Sequence, residues 1–356
     1  MPRVWDVPVH DSTRVRDARV AAEHAAGLAG LDDQCTASAA LVATELATNL
    51  LKHADGGQVL IDVVSPPLLT AGREEARAVQ IVTVDHGPGI PDVSAALSDG
   101  FTTTGSLGAG LGTCARLADD FDLHSVPGRG TVVLARIGGA PRGRDAGTGA
   151  DPVSGVRAGG VNVPFGGADC SGDAWAWVRT GDLVTLMLAD GLGHGPEAAR
   201  ASSAAVEALR GAAHLAPSEV VKRLDAALAR TRGAAVAVAQ VDPRAGRLRF
   251  AGVGNIGARL CAGGTWRTLV SQPGIVGTHR PTTVRDEERE WAHDRVLILH
   301  SDGLPSRWTP TPDACAPGVD PAVTAAVTIR DASSPARPVR DDTAVAVLSP
   351  TPPDGP

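Results

Sequence analysis

The order of apolar and polar positions predicts helices and strands over most of the chain. Residues 16–31 and 33–54 read as two helices. The second sets Leu41, Thr44, Leu46, Leu50 and Leu51 among alanines, with Asp32 or Asp33 available to cap its start. QVLIDVV (58–64) and AVQIVTV (78–84) alternate like a β-pair around the polar, proline-containing loop SPPLLTAGREEA. A tight glycine turn, DHGPGIPD, follows. SDGFTTTGSLGAGLG then opens into a helix over about 111–120, and DLHSV and GTVVLARI close as strands. Further on, the apolar run 182–190 reads as a buried strand ending in Asp190. Residues 196–213 and 217–231 read as helices with Pro in the first turn, where the missing N–H does no harm. RGAAVAVAQVD, RLRFAGVG, ARLCA, RVLILH and TAVAVLS look like strands, and Trp175 and Trp177 alternate with alanines on another.

Length turns this string of elements into an expectation of two domains, since 356 residues exceed one typical domain. Residues 138–157, rich in Gly, Pro, Ala and Asp without an apolar period, read as a flexible linker between domains at 1–137 and 158–349. Such a linker spans roughly 25 Å root-mean-square. Residues 350–356 read as a frayed tail. Aromatic content is 3%, with no Tyr, so the cores must be built from Ala, Val and Leu. A net charge of −7 without a dense basic run gives no electrostatic case for nucleic acid. Cys35, Cys114, Cys170, Cys261 and Cys315 are odd in number, widely spaced and without CxxC, which argues against a disulfide framework or a zinc knuckle. No apolar run reaches membrane-spanning length and the start lacks the pattern of a signal peptide, so a cytoplasmic location without membrane contact is expected.

The candidate chemistry of the second half lies in four aspartates. Asp190 ends a strand and Gly191 lets the backbone turn beside it. Asp173 starts a strand-like stretch, Asp302 follows VLILHS, and Asp341 precedes TAVAVL. Four carboxylates at strand ends can converge. Neighbours ~4 Å apart would repel by about 1 kcal/mol in bulk water and roughly 4 kcal/mol at an effective dielectric of 20. Two dications would cancel four such charges, and all-oxygen ligands favour Mg²⁺ or Mn²⁺. The order GD…ADGLGHG…SDG…DDT, with GGADCSGDAW, RGAAVAVAQVD, FAGVGNIGARL, VSQPGIVG and LHSDGLPSRW around it, resembles the SpoIIE-type metal-dependent serine/threonine protein phosphatases, and the compact RsbX-like members most. The resemblance covers about 158–349. It implies an αββα sandwich, with Asp173, Asp190, Asp302 and Asp341 as ligands to two Mn²⁺ or Mg²⁺ and Gly191 lending its carbonyl. Asp342 rivals Asp341 in this role. A metal-activated water would attack phosphorus in line, without a covalent nucleophile. His194 is read as a turn histidine, with a general-acid role as the alternative.

In the first half, Glu45 and Asn49 are four apart and project from one helix face, where a carboxylate and an amide oxygen can orient water and bind Mg²⁺. Gly108, Gly110 and Gly112 free backbone N–H groups at a helix start, a setting that suits phosphate. No Gly-Lys-Ser/Thr follows, so this is not a Walker loop. ATELATNLLKHA, VDHGPGI, TTTGSLGAGLG and GRGT, in that order, resemble the GHKL ATP-binding fold, and within it the RsbT/RsbW serine kinases. The resemblance implies an α/β sandwich binding ATP and Mg²⁺. Asn49 would hold the ion, Glu45 would act as base, and Asp85 would accept the adenine amino group. Gly87 and Gly89 would shape the adenine pocket, Gly108, Gly110 and Gly112 would cover the phosphates, and Thr131 would assist near the adenine. His24 has no recognisable phosphoacceptor context. Together the two resemblances imply a bifunctional regulator of a partner-switching or stressosome-type sigma-factor pathway, which phosphorylates and dephosphorylates Ser/Thr of a small antagonist or anti-sigma-type protein. The alternative is a phosphatase steered by a non-catalytic ATP-binding or antagonist-binding module.

Overall fold

The computed structural model describes residues 3–65, 68–69, 77–97, 110–138, 155–168, 170–305, 308–311, 318–334 and 339–351. The chain divides into two units, one of residues 3–66 with 74–150, the other mainly of 67–73 with 151–356.

The first unit begins with β1 (Val4–Val9), α1 (Ser12–Ala29), α2 (Asp33–His53) and β2 (Gly57–Val64). Asp11 caps α1 through the Thr13 N–H, and Gly30 ends it in the left-handed region at φ 74°. Of the two candidate caps for α2 it is Asp32 that acts, its carboxylate accepting from the Cys35 N–H at 2.7 Å. The chain continues through β4 (Ala78–Val84), α3 (Val93–Leu97), α4 (Leu111–Leu117), β5 (Asp120–Val126) and β6 (Gly130–Ile137), with β3 (Leu68–Leu69) falling between β2 and β4. The helix expected over 111–120 stops at Leu117, and Asp120 already starts β5. An antiparallel sheet of order β1-β2-β4-β6-β5 results. α1 and α2 cover one face: Ala18, Ala22, Ala25, Ala39, Ala43, Leu46 and Leu50 bury against Val59, Ile61, Val79 and Ile81. The alanines let the two helices lie close, so this core is built with few large side chains.

The second unit holds β7 (Val156–Val163), a 3₁₀ turn (Phe165–Gly167), β8 (Asp173–Thr180), β9 (Leu183–Gly191), α5 (Pro196–Ala212) and α6 (Pro217–Leu228). It goes on with β10 (Ala234–Asp242), β11 (Arg247–Val253), β12 (Gly257–Ala262), β13 (Thr265–Leu269), β14 (Glu287–Glu290), β15 (Val296–His300), α7 (Pro321–Ala332) and β16 (Thr343–Pro350). Two sheets form, β14-β11-β10-β9-β8-β3 and β13-β12-β15-β16-β7. Leu186, Leu188, Ala237, Phe250, Leu297, Leu299, Ala346 and Leu348 fill the space between them, with Trp175 and Trp177 packed against this core. The other face of the first sheet, including Met187, Ala189, Val236 and Val238, packs on Ala205, Leu209, Val220 and Leu224 of α5 and α6. α7 packs on β7 and β16. With both faces covered, β9 reads as an unbroken apolar run rather than an alternation.

Two observations depart from the sequence reading. The span 65–76 contains β3, which pairs parallel with Val178–Arg179 at the edge of β8, where unpaired backbone groups take an extra strand. Cys261 is disulfide-bonded, while Cys35, Cys114 and Cys170 are free thiols. Separation along the chain does not limit proximity in space. No helix among the described residues is long and apolar enough to cross a membrane.

Candidate active sites

In the first unit, α2 carries Glu45 and Asn49 one turn apart, both partly buried. Burial pushes the Glu45 carboxyl up, and Lys52 only partly offsets this. Asp85 directly follows β4 and is buried. Its Oδ1 accepts from the Gly87 N–H at 2.8 Å and the Thr131 N–H at 3.0 Å, so one carboxylate oxygen clamps the turn after β4 to the start of β6. Thr131 Oγ1 lies 2.8 Å from Ser125 Oγ, which accepts from the Ile90 N–H at 2.8 Å. Asp85, Gly87, Ser125 and Thr131 thus form one hydrogen-bonded corner. Gly89 belongs to the same turn with φ 73°, and an added Cβ would stand 2.4 Å from the Val126 carbonyl oxygen, so only glycine fits. Gly110 stands at the N-cap of α4 and Gly112 lies within it, against the Leu97 carbonyl. Gly108 lies outside the described residues.

In the second unit, antiparallel pairing of β8 and β9 sets Asp173 directly opposite Asp190. Register alone therefore brings together two carboxylates that are far apart in sequence. Asp302 and Asp341 follow β15 and precede β16, which are neighbours in the other sheet. The field of Asp302 and Asp341 reaches Asp190, and the fields of Asp190 and Asp302 reach Asp173. Burial first, then this mutual repulsion, pushes the Asp173 and Asp190 carboxyls well up. Asp173 is buried, Asp190 partly so, and Asp302 and Asp341 are exposed, so the cluster runs from the interior to an open mouth. Gly191 lies under the first turn of α5, where an added Cβ would stand 2.1 Å from the Ala198 carbonyl oxygen.

Asp342 has another task. Its Oδ1 accepts from the Phe165 N–H at 2.8 Å and its Oδ2 from the Gly172 N–H at 2.9 Å, so both oxygens are spent on the backbone leading into β8. Asp341 Oδ1 accepts from the Asp342 N–H. His194 is exposed in the turn between β9 and α5.

Three positions around the cluster escaped the sequence reading. Asn255 Nδ2 donates to Asp302 Oδ2 at 2.6 Å, and Asn162 Nδ2 donates to the Asp173 carbonyl at 2.8 Å. The Ser301 hydroxyl bonds the Asp173 carboxylate and accepts from the Ala344 N–H at 2.9 Å. The GVGN turn and the HSDG run were visible, but polar residues beside glycines carry no signal of what they reach.

The donor set suits hard dications: carboxylate oxygens dominate it, and Asp173 Oδ2 is buried without a hydrogen-bond partner. As the side chains stand, no three Asp, Glu, His or Cys residues among those described close on one point at ligating distance.

Residues 180–349 match the family model Stage II sporulation protein E (SpoIIE), and residues 9–137 match the Histidine kinase-like ATPase domain. Over 106 residues the chain is 40% identical to the serine/threonine-protein kinase RsbT of Bacillus subtilis (strain 168), covering 30% of this chain and 73% of RsbT. Among solved structures, a phosphatase-domain structure of SpoIIE from Bacillus subtilis is 16% identical at a TM-score of 0.47, covering 80% of this chain and 81% of that one. RsbX in complex with magnesium is 19% identical at a TM-score of 0.46, covering 54% and 94%. Through its N-terminal half the chain belongs to the RsbT family of histidine kinase-like ATPases, and its C-terminal half is a SpoIIE phosphatase domain.

Proposed function

We propose that this chain sets the phosphorylation state of a small antagonist or anti-sigma-type protein in both directions. Its N-terminal domain (1–137) transfers phosphate from ATP to a Ser or Thr, and its C-terminal domain (158–349) removes it, the two joined by the linker 138–157. The observation that carries the hydrolytic half is the facing pair Asp173 and Asp190, within electrostatic reach of Asp302 and with a buried carboxylate oxygen left unpartnered.

In this reading Asp173, Asp190, Asp302 and Asp341 hold two Mn²⁺ or Mg²⁺, together with the Gly191 carbonyl. The bound dications would supply Lewis acidity and an activated water. Asp342 positions rather than ligates, because its oxygens already hold two amides of the loop before β8. Ser301 and Asn255 orient Asp173 and Asp302. Exposure of Asp302 and Asp341 leaves the mouth open to a phosphorylated segment of another protein.

In the N-terminal domain, Asn49 holds Mg²⁺ on the ATP phosphates. Glu45, its basicity raised by burial, accepts the proton of the attacking hydroxyl. Asp85 receives the adenine amino group at the corner shaped by Gly87, Gly89 and Thr131, and Gly108, Gly110 and Gly112 cover the phosphates. Opposed activities in one chain would consume ATP without result, so one is gated while the other runs.

The test uses the full chain and a candidate antagonist protein. With Mg²⁺–ATP, phosphate should appear on a Ser or Thr of the antagonist. With Mn²⁺ and no nucleotide, phosphoserine on the same protein should be cleared. If Mn²⁺-loaded protein leaves phosphoserine and phosphothreonine substrates intact, the hydrolytic reading is lost.

A further inference from the structure

At the turn that follows Asp190 stands a cation, Arg232 of the run RGAAVAVAQVD, to which the metal-site reading gives no role. β9 leaves its sheet through Gly191 while β10 enters beside it, with Gly191 paired to Ala234. The Leu192 N–H donates to the Gly233 carbonyl at 3.0 Å, so residues 191–193 run alongside 232–234. Arg232 therefore flanks the turn that follows Asp190. Its Nη1 lies 3.2 Å from where a Cβ on Gly193 would project, and Gly193 itself has φ 87°. The guanidinium lies over a bare glycine that leaves it room. Arg232 is exposed, and no carboxylate among the described residues pairs with it.

Charge bookkeeping gives it a purpose. Two dications balance the four carboxylates proposed as ligands, and nothing remains to offset a phosphoester that arrives with its own negative charge. A planar guanidinium offers paired N–H donors that match two oxygens of a phosphoryl group. We propose that Arg232 is the phosphate-recognising side chain of the C-terminal site, binding the phosphoryl oxygens of the phosphoester from the side of the Gly193 turn. The inference rests on the phosphoester-hydrolysis reading above and adds a specificity-determining residue to it.

The experiment measures binding of inorganic phosphate to the Mn²⁺-loaded full chain by calorimetry, alongside hydrolysis of p-nitrophenyl phosphate. Arg232→Ala should weaken phosphate binding roughly ten- to hundredfold, the range expected for lost charge-assisted hydrogen bonds. It should raise KM more than it lowers kcat, and leave Mn²⁺ affinity and the unfolding midpoint unchanged. Arg232→Lys, which keeps the charge and loses the fork, should fall between wild type and Ala. Phosphate binding that is equal in wild type and Arg232→Ala, or undetectable in wild type, overturns the inference. Turnover that persists in wild type alongside unchanged phosphate binding in the variant sinks only the role of Arg232. Arg232-dependent phosphate binding without any turnover sinks only the hydrolytic reading.

Discussion

The two candidate sites are built in opposite ways. In the N-terminal domain one carboxylate, Asp85, spends an oxygen on two backbone amides, and glycines bring the chain close where side chains would block it. In the C-terminal domain five aspartates crowd the ends of strands from two sheets, and two of them are pushed well above the ordinary carboxylate range. At the first site the described carboxylate is held by the protein's own amides. The second gathers carboxylates that repel one another, and this is where dications are proposed. Chelation should therefore loosen the C-terminal domain and spare the fold of the N-terminal one, whose Mg²⁺ is proposed to arrive with ATP.

The largest effect that tests this contrast is the loss of a proposed metal ligand. Asp190→Asn removes charge at the centre of the cluster, where Asp173, Asp302 and Asp341 all act on it. Phosphoserine hydrolysis should drop by at least ~10³-fold, in keeping with loss of metal catalysis worth several kcal/mol. Phosphorylation with Mg²⁺–ATP should persist. Phosphate release under saturating Mn²⁺ measures the first and radiolabel transfer the second. A variant that hydrolyses at the wild-type rate would remove Asp190 from the reaction.

Glu45→Ala should cut phosphoryl transfer by about 10²–10⁴-fold, the range of a general base, with nucleotide affinity nearly retained. Equilibrium ATP binding beside single-turnover transfer separates the two. Transfer that survives in the variant would make the N-terminal domain's chemistry independent of this carboxylate. Loss of ATP binding would assign Glu45 to binding instead.

Asn255→Ala sharpens the contrast at a finer level. The amide donates to Asp302 and orients a carboxylate without touching the other three aspartates. Removing such an outer partner weakens metal affinity by roughly 10–100-fold in comparable sites. The rate at saturating Mn²⁺ should then recover most of the wild-type value. A rate that stays low at any metal concentration would mean that Asn255 acts on substrate rather than on Asp302.

The sequence exposed the two sites unequally, and the reason is physical. Glu45 and Asn49 share a helix, so their spacing of four already placed them on one face. The glycines of the N-terminal turns were legible because positive φ and close approach leave few other choices. The aspartates were legible as strand ends, but nothing local says that Asp173 faces Asp190; that follows from strand register, a property of two segments together. Asp341 and Asp342 could not be separated in the sequence, since only the amides of Phe165 and Gly172 distinguish them. β3 was unreadable for the same reason, because its pairing with β8 is set by a free sheet edge remote in sequence. Arg232 was legible only as the first residue of RGAAVAVAQVD, and its place beside the Gly193 turn follows from the fold.

The smallest effect lies outside both sites and asks whether the N-terminal domain manages an enclosed carboxylate by protonation, where the C-terminal one is proposed to use cations. Asp62 on β2 sits in register with Gln80, and Gln80 with Arg136, whose Nε donates to Gln80 Oε1 at 2.9 Å. Burial outweighs the help of Arg136 and Gln80 and pushes the Asp62 carboxyl up to about 7. Its pKa is thus higher in the folded chain than the ordinary value of 3.8, so the folded state binds more protons between those two values. The stabilisation from this group is fully present below about pH 4 and is lost as pH rises through about 7. Asp62→Asn keeps the shape and removes the titration. Urea midpoints of the full chain should fall less steeply from pH 5 to pH 8 in the variant than in wild type, and the variant should be the more stable of the two at pH 8. Parallel slopes would mean that Arg136 and Gln80 hold Asp62 ionised in the fold, so that the N-terminal domain, too, answers a buried charge with a partner.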